Sequence, residues 1–202
     1  FEVSAFALAA IFAGMISATA LAAHQVAINI ASVSYMAVTG LGAAATVRIG
    51  NQAGMGDSLN LRRAGTTIFK MGAYFMLVAG ILIFIFRNEL AGFYSDDPAV
   101  LALASKMLIV AVVFQLSDGI QSVALGALRG LTDVKVPTWI TFGVYWLLVL
   151  PAAYFLSLHT SLGAMGIWYA LAGGLTLSAI LLSFRFRTLL NRLAAKLEKT
   201  RP

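Results

Sequence analysis

VSAFALAAIFAGMISATALAAHQVAINIASVSYMAVTGLGAAATV, residues 3–47, contains no Asp, Glu, Lys or Arg. A helix needs about 20 apolar residues to cross the hydrocarbon core of a bilayer, so this run is long enough for two spans. Its most polar interior point, Ala23-His24-Gln25, is the expected break between them. Outward from this run, four more apolar segments follow at residues 64–86, 99–128, 137–158 and 164–184, with a polar stretch over 87–98. Asp97-Pro98 reads as an N-cap followed by proline in the first turn, which fixes the start of the fourth span. Pro151 falls inside the fifth. It lacks an amide donor and clashes with the carbonyl of Leu147, so a bend is expected there.

Composition agrees. Of 202 residues, 60% are hydrophobic and 11% charged, against about a quarter charged in a soluble domain. No segment series alternates with period two, which argues against a transmembrane β-barrel. The chain has no cysteine, which excludes a disulfide framework and a thiolate metal site. The fold expected is all-α: a bundle of six transmembrane helices over residues 1–184, then a basic amphipathic tail over 185–202. The chain opens Phe1-Glu2-Val3-Ser4, inside an apolar segment and without an initiator Met or basic leader, and reads as a fragment.

The net charge of +6 has a topological explanation. With helices alternating, 12 of the 14 basic residues fall on one side, from Arg48 through Arg62, Arg63, Arg129 and Lys135 to the tail. The other side keeps Arg87 and Lys106. By the positive-inside rule the basic side is cytoplasmic, so the charge calls for no nucleic-acid partner. In the tail, Phe186, Leu189, Leu190, Leu193 and Leu197 recur at helical spacing opposite Arg and Lys, the pattern of a helix lying on anionic lipid. A partner-binding helix is the alternative.

Six of the eight acidic residues lie in polar connecting segments; Glu2 and Asp118 do not. Ten residues separate Asp118 from Arg129, which puts the carboxylate roughly 15 Å into the membrane. An acid there costs about 2.5–3.5 kcal/mol on insertion scales and normally faces a cavity or a partner. Gln115, Gln121 and Ser122 lie three or four residues away on the same helix. A transport role and a structural hydrogen bond between helices are the two readings of Asp118. Glu2, taken alone, also suits a helix start. Gln25, Asn29, Ser32, Met36 and Thr39 share one face of the second helix, either lining a cavity or joining helices. His24 and His159 sit near outer helix ends, and no spacing of histidines or acids suggests a metal site.

Several segments, in order, resemble the C-terminal lobe of multidrug and toxic compound extrusion (MATE) transporters of the NorM-like branch. They are Ala22-Ala23-His24-Gln25-Val26-Ala27, Gly42-Ala43-Ala44 with Val47-Arg48-Ile49-Gly50, and Gln115 to Asp118. Gly126-Ala127-Leu128-Arg129-Gly130 with Asp133 follows, then Tyr145-Trp146, Leu150-Pro151, Tyr154, and Leu162-Gly163-Ala164 with Gly166 and Trp168. The resemblance implies one lobe, helices seven to twelve, of a twelve-helix exporter in a cell membrane, with a bacterial inner membrane as the expected location. It implies efflux of amphipathic, cationic small molecules in exchange for Na⁺ or H⁺, without a cofactor and with the N-terminal lobe as partner. It assigns cation coupling to Glu2 and Asp118, with Phe114, Gln115, Gln121, Ser122, Gln25, Asn29 and Met36 as cavity-lining positions. Phe114 stands where family members often carry a tyrosine, so a hydroxyl ligand is missing at that position. The alternatives are a lipid-linked oligosaccharide flippase of the same superfamily, which calls for a basic cavity, or a structural membrane subunit. An enzyme would need a nucleophile–base or metal constellation, and the sequence offers none.

Overall fold

The computed structural model describes residues 2–199, with side chains through Lys196. Its described residues form six helices: α1 (Glu2–Ile16), α2 (Ala18–Gly54), α3 (Ser58–Gly92), α4 (Pro98–Gly130), α5 (Lys135–Leu158) and α6 (Ala164–Lys199). Five of them, α2 to α6, are long and apolar enough to cross a membrane; α1, with 15 residues, is apolar and shorter. At 1.5 Å per residue the 37 residues of α2 run roughly 55 Å, well beyond a hydrocarbon core of about 30 Å.

The first break lies at Ser17, six residues before the expected position. Ser17 is extended and its hydroxyl accepts from Ala20 N at 3.0 Å, capping α2. His24 and Gln25, where the break was expected, lie inside α2. A helix carries polar side chains on its faces without breaking, whereas an N-cap supplies the acceptor that an orphan amide needs. α3 has non-helical dihedrals at Phe86, the residue at which its span was expected to end, and continues to Gly92 beyond that kink. Asp97 caps α4 by accepting from Ala99 N at 2.8 Å, with Pro98 in the first turn, as the sequence indicates.

Around Pro151 the disturbance of α5 takes a particular form. The stretch Gly143–Val149 is a π-helix, and the amide of Leu150 bonds to the carbonyl of Tyr145, five residues back. Pro151 offers no amide to Leu147, and the widened turn absorbs the mismatch upstream of the ring.

α4 is the central helix and packs against α2, α3 and α6. Its approach to α2 is set by glycines: a Cβ on Gly126 would collide with the backbone of Gly42, and one on Gly130 would lie 2.7 Å from the Thr46 carbonyl. Thr46 Oγ1 bridges the same seam, 2.9 Å from the Gly126 carbonyl. Gly40 and Gly54, by contrast, approach nothing.

The stretch after residue 184 is continuous with α6 rather than a separate element. Phe186, Leu190 and Ala194 are buried. Phe186 and Leu190, with Leu193 beside them, belong to a core shared with Leu61, Ala64 and Ile68 of α3. This corrects the expectation that the apolar stripe lies on lipid: protein covers it first, because the long α3 projects alongside. Leu197's side chain and residues 200–202 lie outside what is described. Arg62 Nη1 donates to Asn191 Oδ1 at 2.7 Å, and Arg185 Nε meets Asp133 Oδ2 at 2.7 Å, gathering α3, α6 and the α4–α5 turn at one basic end.

Candidate functional site: a carboxylate cavity between two cores

The apolar interior falls into two clusters. One runs from α1 through the first halves of α2, α4 and α6 as far as Ile30, Phe114 and Leu175. The other occupies the basic end, from Ala45, Val123 and Leu182 onward. On α4 the residues between the clusters include Gln115, Asp118 and Gln121; on α2, Ser34 and Tyr35; on α6, Ser178. Polar side chains therefore share a level between two apolar layers. Burying such groups is costly unless they find partners or enclose water or ions.

Partners are found unevenly. Gln121 Nε2 donates to Glu2 Oε2 at 2.9 Å, joining α4 to the start of α1. The Tyr145 hydroxyl stands 3.3 Å from Glu2 Oε1 and 3.1 Å from Gln121 Oε1, one proton facing two acceptors. Gln115 Nε2 donates to Ser34 Oγ at 2.6 Å and ties α4 to α2. Asp118, only 6% exposed, has no hydrogen-bond donor or ion-pair partner among the described residues. An unpartnered buried carboxylate is the group most in need of a proton or a cation.

Glu2 and Asp118 line one cavity of about 180 Å³ with Phe6, Ile28, Tyr35 and Phe114, with Ser32 also in its wall and no basic side chain. Two further cavities toward the basic end also touch Glu2. Gln121, Ser122 and Tyr35 line one, Asp133 and Thr138 the other, and Arg129 lines both. Glu2 thus stands where the acidic cavity meets a polar route to the basic end. Among the described residues no cluster of three or more His, Asp or Glu forms a metal-binding group.

The positions singled out from sequence divide. Glu2, Asp118 and Phe114 meet in the first cavity, with Phe114 stacked on Trp168 at 5.6 Å. Gln121 and Ser122 line the second. Gln115 is fully buried as an interhelical tie and lines none of these cavities, a correction that follows from its pointing to α2. Gln25, Asn29 and Met36 are exposed on the outer face of α2, so they are not cavity-lining in this six-helix unit. Of their helical stripe only Ser32 and Thr39 reach a cavity. His24 is also placed differently: it is buried in the second turn of α2, edge-on to Trp168. Two tyrosines escaped the sequence reading as site residues. Tyr35 supplies a phenol beside both acids, and Tyr145 is held on the π-helical turn. The proline six residues after Tyr145 was the available signal for an irregular, site-bearing turn.

Fold and site together define a multi-pass membrane protein of the polytopic helix-bundle class, with paired intramembrane carboxylates. Residues 1–155 match the MatE family, and the chain belongs to it. It is 42% identical over 191 residues to the multidrug resistance protein NorM of Burkholderia vietnamiensis, covering 92% of this chain and 41% of that protein. A probable multidrug resistance protein NorM of Rhizobium meliloti (strain 1021) is 38% identical over 199 residues, covering 96% of this chain and 43% of that protein. The chain thus spans about two fifths of the curated relatives it matches. Among solved structures, a eukaryotic MATE transporter superposes with a TM-score of 0.84 at 19% identity, covering 96% of this chain and 45% of that one. Such coverage fits one lobe of the MATE fold.

Proposed function

We propose that this lobe belongs to a multidrug exporter driven by cation antiport, with Asp118 as its principal coupling group and Glu2 assisting. The observation that carries this reading is the shared cavity: two carboxylates from different helices, one of them without a protein donor, and no basic side chain in the lining. In such a cavity Na⁺, a proton and a cationic drug compete for the same negative charge. Binding of the ion neutralises the site and weakens its hold on the drug, and linkage makes the effect reciprocal. Tyr145 and Gln121 reach Glu2, and Tyr35 shares the cavity with both acids, so a bound cation or proton has oxygens beside it. The missing part of the chain's relatives corresponds to the other lobe, and alternating access by one lobe rocking against the other gives the two-sided exposure that exchange requires. Amphipathic cations are the substrate class that an acidic, mostly apolar cavity favours.

A lipid-linked oligosaccharide flippase calls instead for basic residues against the pyrophosphate. The acidic cavity does not offer them.

Asp118→Asn in the full-length protein tests the reading. It keeps the shape and removes the charge, so membrane insertion persists while dye efflux driven by an imposed Na⁺ or proton gradient fails. Efflux at the parental rate would reduce Asp118 to a packing residue.

A further inference from the structure

At the basic end, α3 and α6 leave a cleft of about 420 Å³ between them. Phe69 and Phe186, stacked at 5.3 Å, and Ile120 of α4 make its apolar floor. Lys70 and Arg187 stand at its edge, both exposed, and no carboxylate lines it. Neither cation forms an ion pair among the described residues, whereas Arg185, two residues from Arg187, is committed to Asp133. Ser183, also in the wall, has a hydroxyl with no hydrogen-bond partner among the described residues. The cleft therefore offers two cations and an apolar floor.

Lys70 lies twelve residues into α3, and beyond it Met71, Tyr74 and Leu77 present exposed apolar surface toward the membrane middle. A ligand seated here has its anionic end at Lys70 and Arg187 and its apolar part along that face of α3. A small soluble anion would leave the aromatic floor unused. A zwitterionic lipid would bring a third cation against the two already present. We propose that this cleft holds one anionic glycerophospholipid, its phosphate between Lys70 and Arg187 and an acyl chain descending along α3. Basic pockets between membrane helices at the cytoplasmic side are suited to such headgroups. The site is separate from Glu2 and Asp118 and stands whether or not those acids couple transport; only the choice of leaflet rests on the positive-inside assignment. Because Phe186 and Leu190 of α6 also form the cleft wall, an occupying lipid would brace the end of α6 against α3.

Native mass spectrometry of the full-length protein, titrated separately with phosphatidylglycerol and phosphatidylcholine, tests the site. Lys70→Gln with Arg187→Gln should weaken phosphatidylglycerol retention by roughly 10- to 30-fold, from the attraction each basic residue contributes at an anionic headgroup. Phosphatidylcholine retention should not change. Arg63→Gln with Arg192→Gln, which removes two exposed cations from the same end outside the cleft, should change phosphatidylglycerol retention by less than about threefold if contact and not diffuse field is responsible. Lys70→Arg with Arg187→Lys should retain the lipid, which guards against misreading a folding defect. Equal loss in the Arg63/Arg192 pair, unchanged retention in the Lys70/Arg187 pair, or displacement of the lipid by inorganic phosphate at comparable concentration would each overturn the proposal.

Discussion

Asp118 and Glu2 sit in one cavity with unlike surroundings. Glu2 receives Gln121 and shares the Tyr145 proton, while Asp118 accepts nothing from the described residues. This inequality suggests a division of labour in which the unsatisfied acid takes the cation and the hydrogen-bonded one positions it. Tyr145→Phe separates the roles. It deletes a hydroxyl that donates to Glu2 and leaves Gln121 in place; a hydrogen bond to an ionised acceptor contributes about 1.5 kcal/mol or more and competes with an ion for the same oxygen, so its loss tightens ion binding roughly tenfold. Half-maximal efflux should therefore require about tenfold less coupling ion, with the maximal rate largely kept, whereas Asp118→Asn abolishes coupling at any ion concentration. Titrating efflux against external ion distinguishes the two; an unchanged ion requirement would show that the Tyr145 hydroxyl only packs. Asp118 was legible in the sequence because a lone carboxylate in an apolar run has no bland surroundings to hide in. Tyr35 and Tyr145 were not, since a tyrosine is at home at many depths and its partner is decided by packing between helices distant in sequence.

The π-helical turn of α5 holds Tyr145 at the site, and Pro151 is the residue that makes a regular turn unavailable. Pro151→Ala restores an amide that can bond the Leu147 carbonyl, favouring closure of the widened turn. Removing one residue from the register rotates one flank relative to the other by about 100°, which turns Tyr145 away from Glu2. The expected outcome is a protein of equal or greater thermal stability whose ion requirement falls at least as far as in Tyr145→Phe. A variant indistinguishable from the parent in both measurements would mean that the neighbouring helices, not the proline, impose the π-turn. Close packing favours some such imposition: a Cβ on Gly174 of α6 would collide with Val149, so α6 presses on this turn. From sequence, Pro151 announced an interruption but not its kind, because bend and π-bulge both relieve the same missing bond. The break at Ser17 was hidden for a similar reason. One serine among several in an apolar run becomes a cap only when the chain turns there.

At the scale of the whole molecule, lipid does most of the specifying. Without water to satisfy backbone groups, an apolar chain of this length without strand alternation has helices as its solution, and the number of apolar runs gives their number. The layering of two apolar cores around a polar level needed the three-dimensional arrangement, since it depends on α2, α4 and α6 being staggered so that their polar residues coincide. The charge distribution supplies the orientation. α2, α4 and α6 end, and α3 and α5 begin, at the side carrying Arg48, Arg62, Arg63, Arg129, Lys135 and Arg185, and the positive-inside rule predicts that this side is cytoplasmic. Leu59, 55% exposed near the start of α3, and Asp96, exposed between α3 and α4, are suitable reporters for opposite faces. In the full-length protein without other cysteines, Asp96→Cys should react with an impermeant thiol reagent applied to intact cells. Leu59→Cys should react only after the membrane is opened. The reverse pattern would invert the lobe, placing the Lys70–Arg187 cleft in the outer leaflet and the polar route past Arg129 on the outside. The direction of ion entry to Glu2 and Asp118 would then have to be reversed as well, because Arg129 lines both cavities that lead from Glu2 to the basic end.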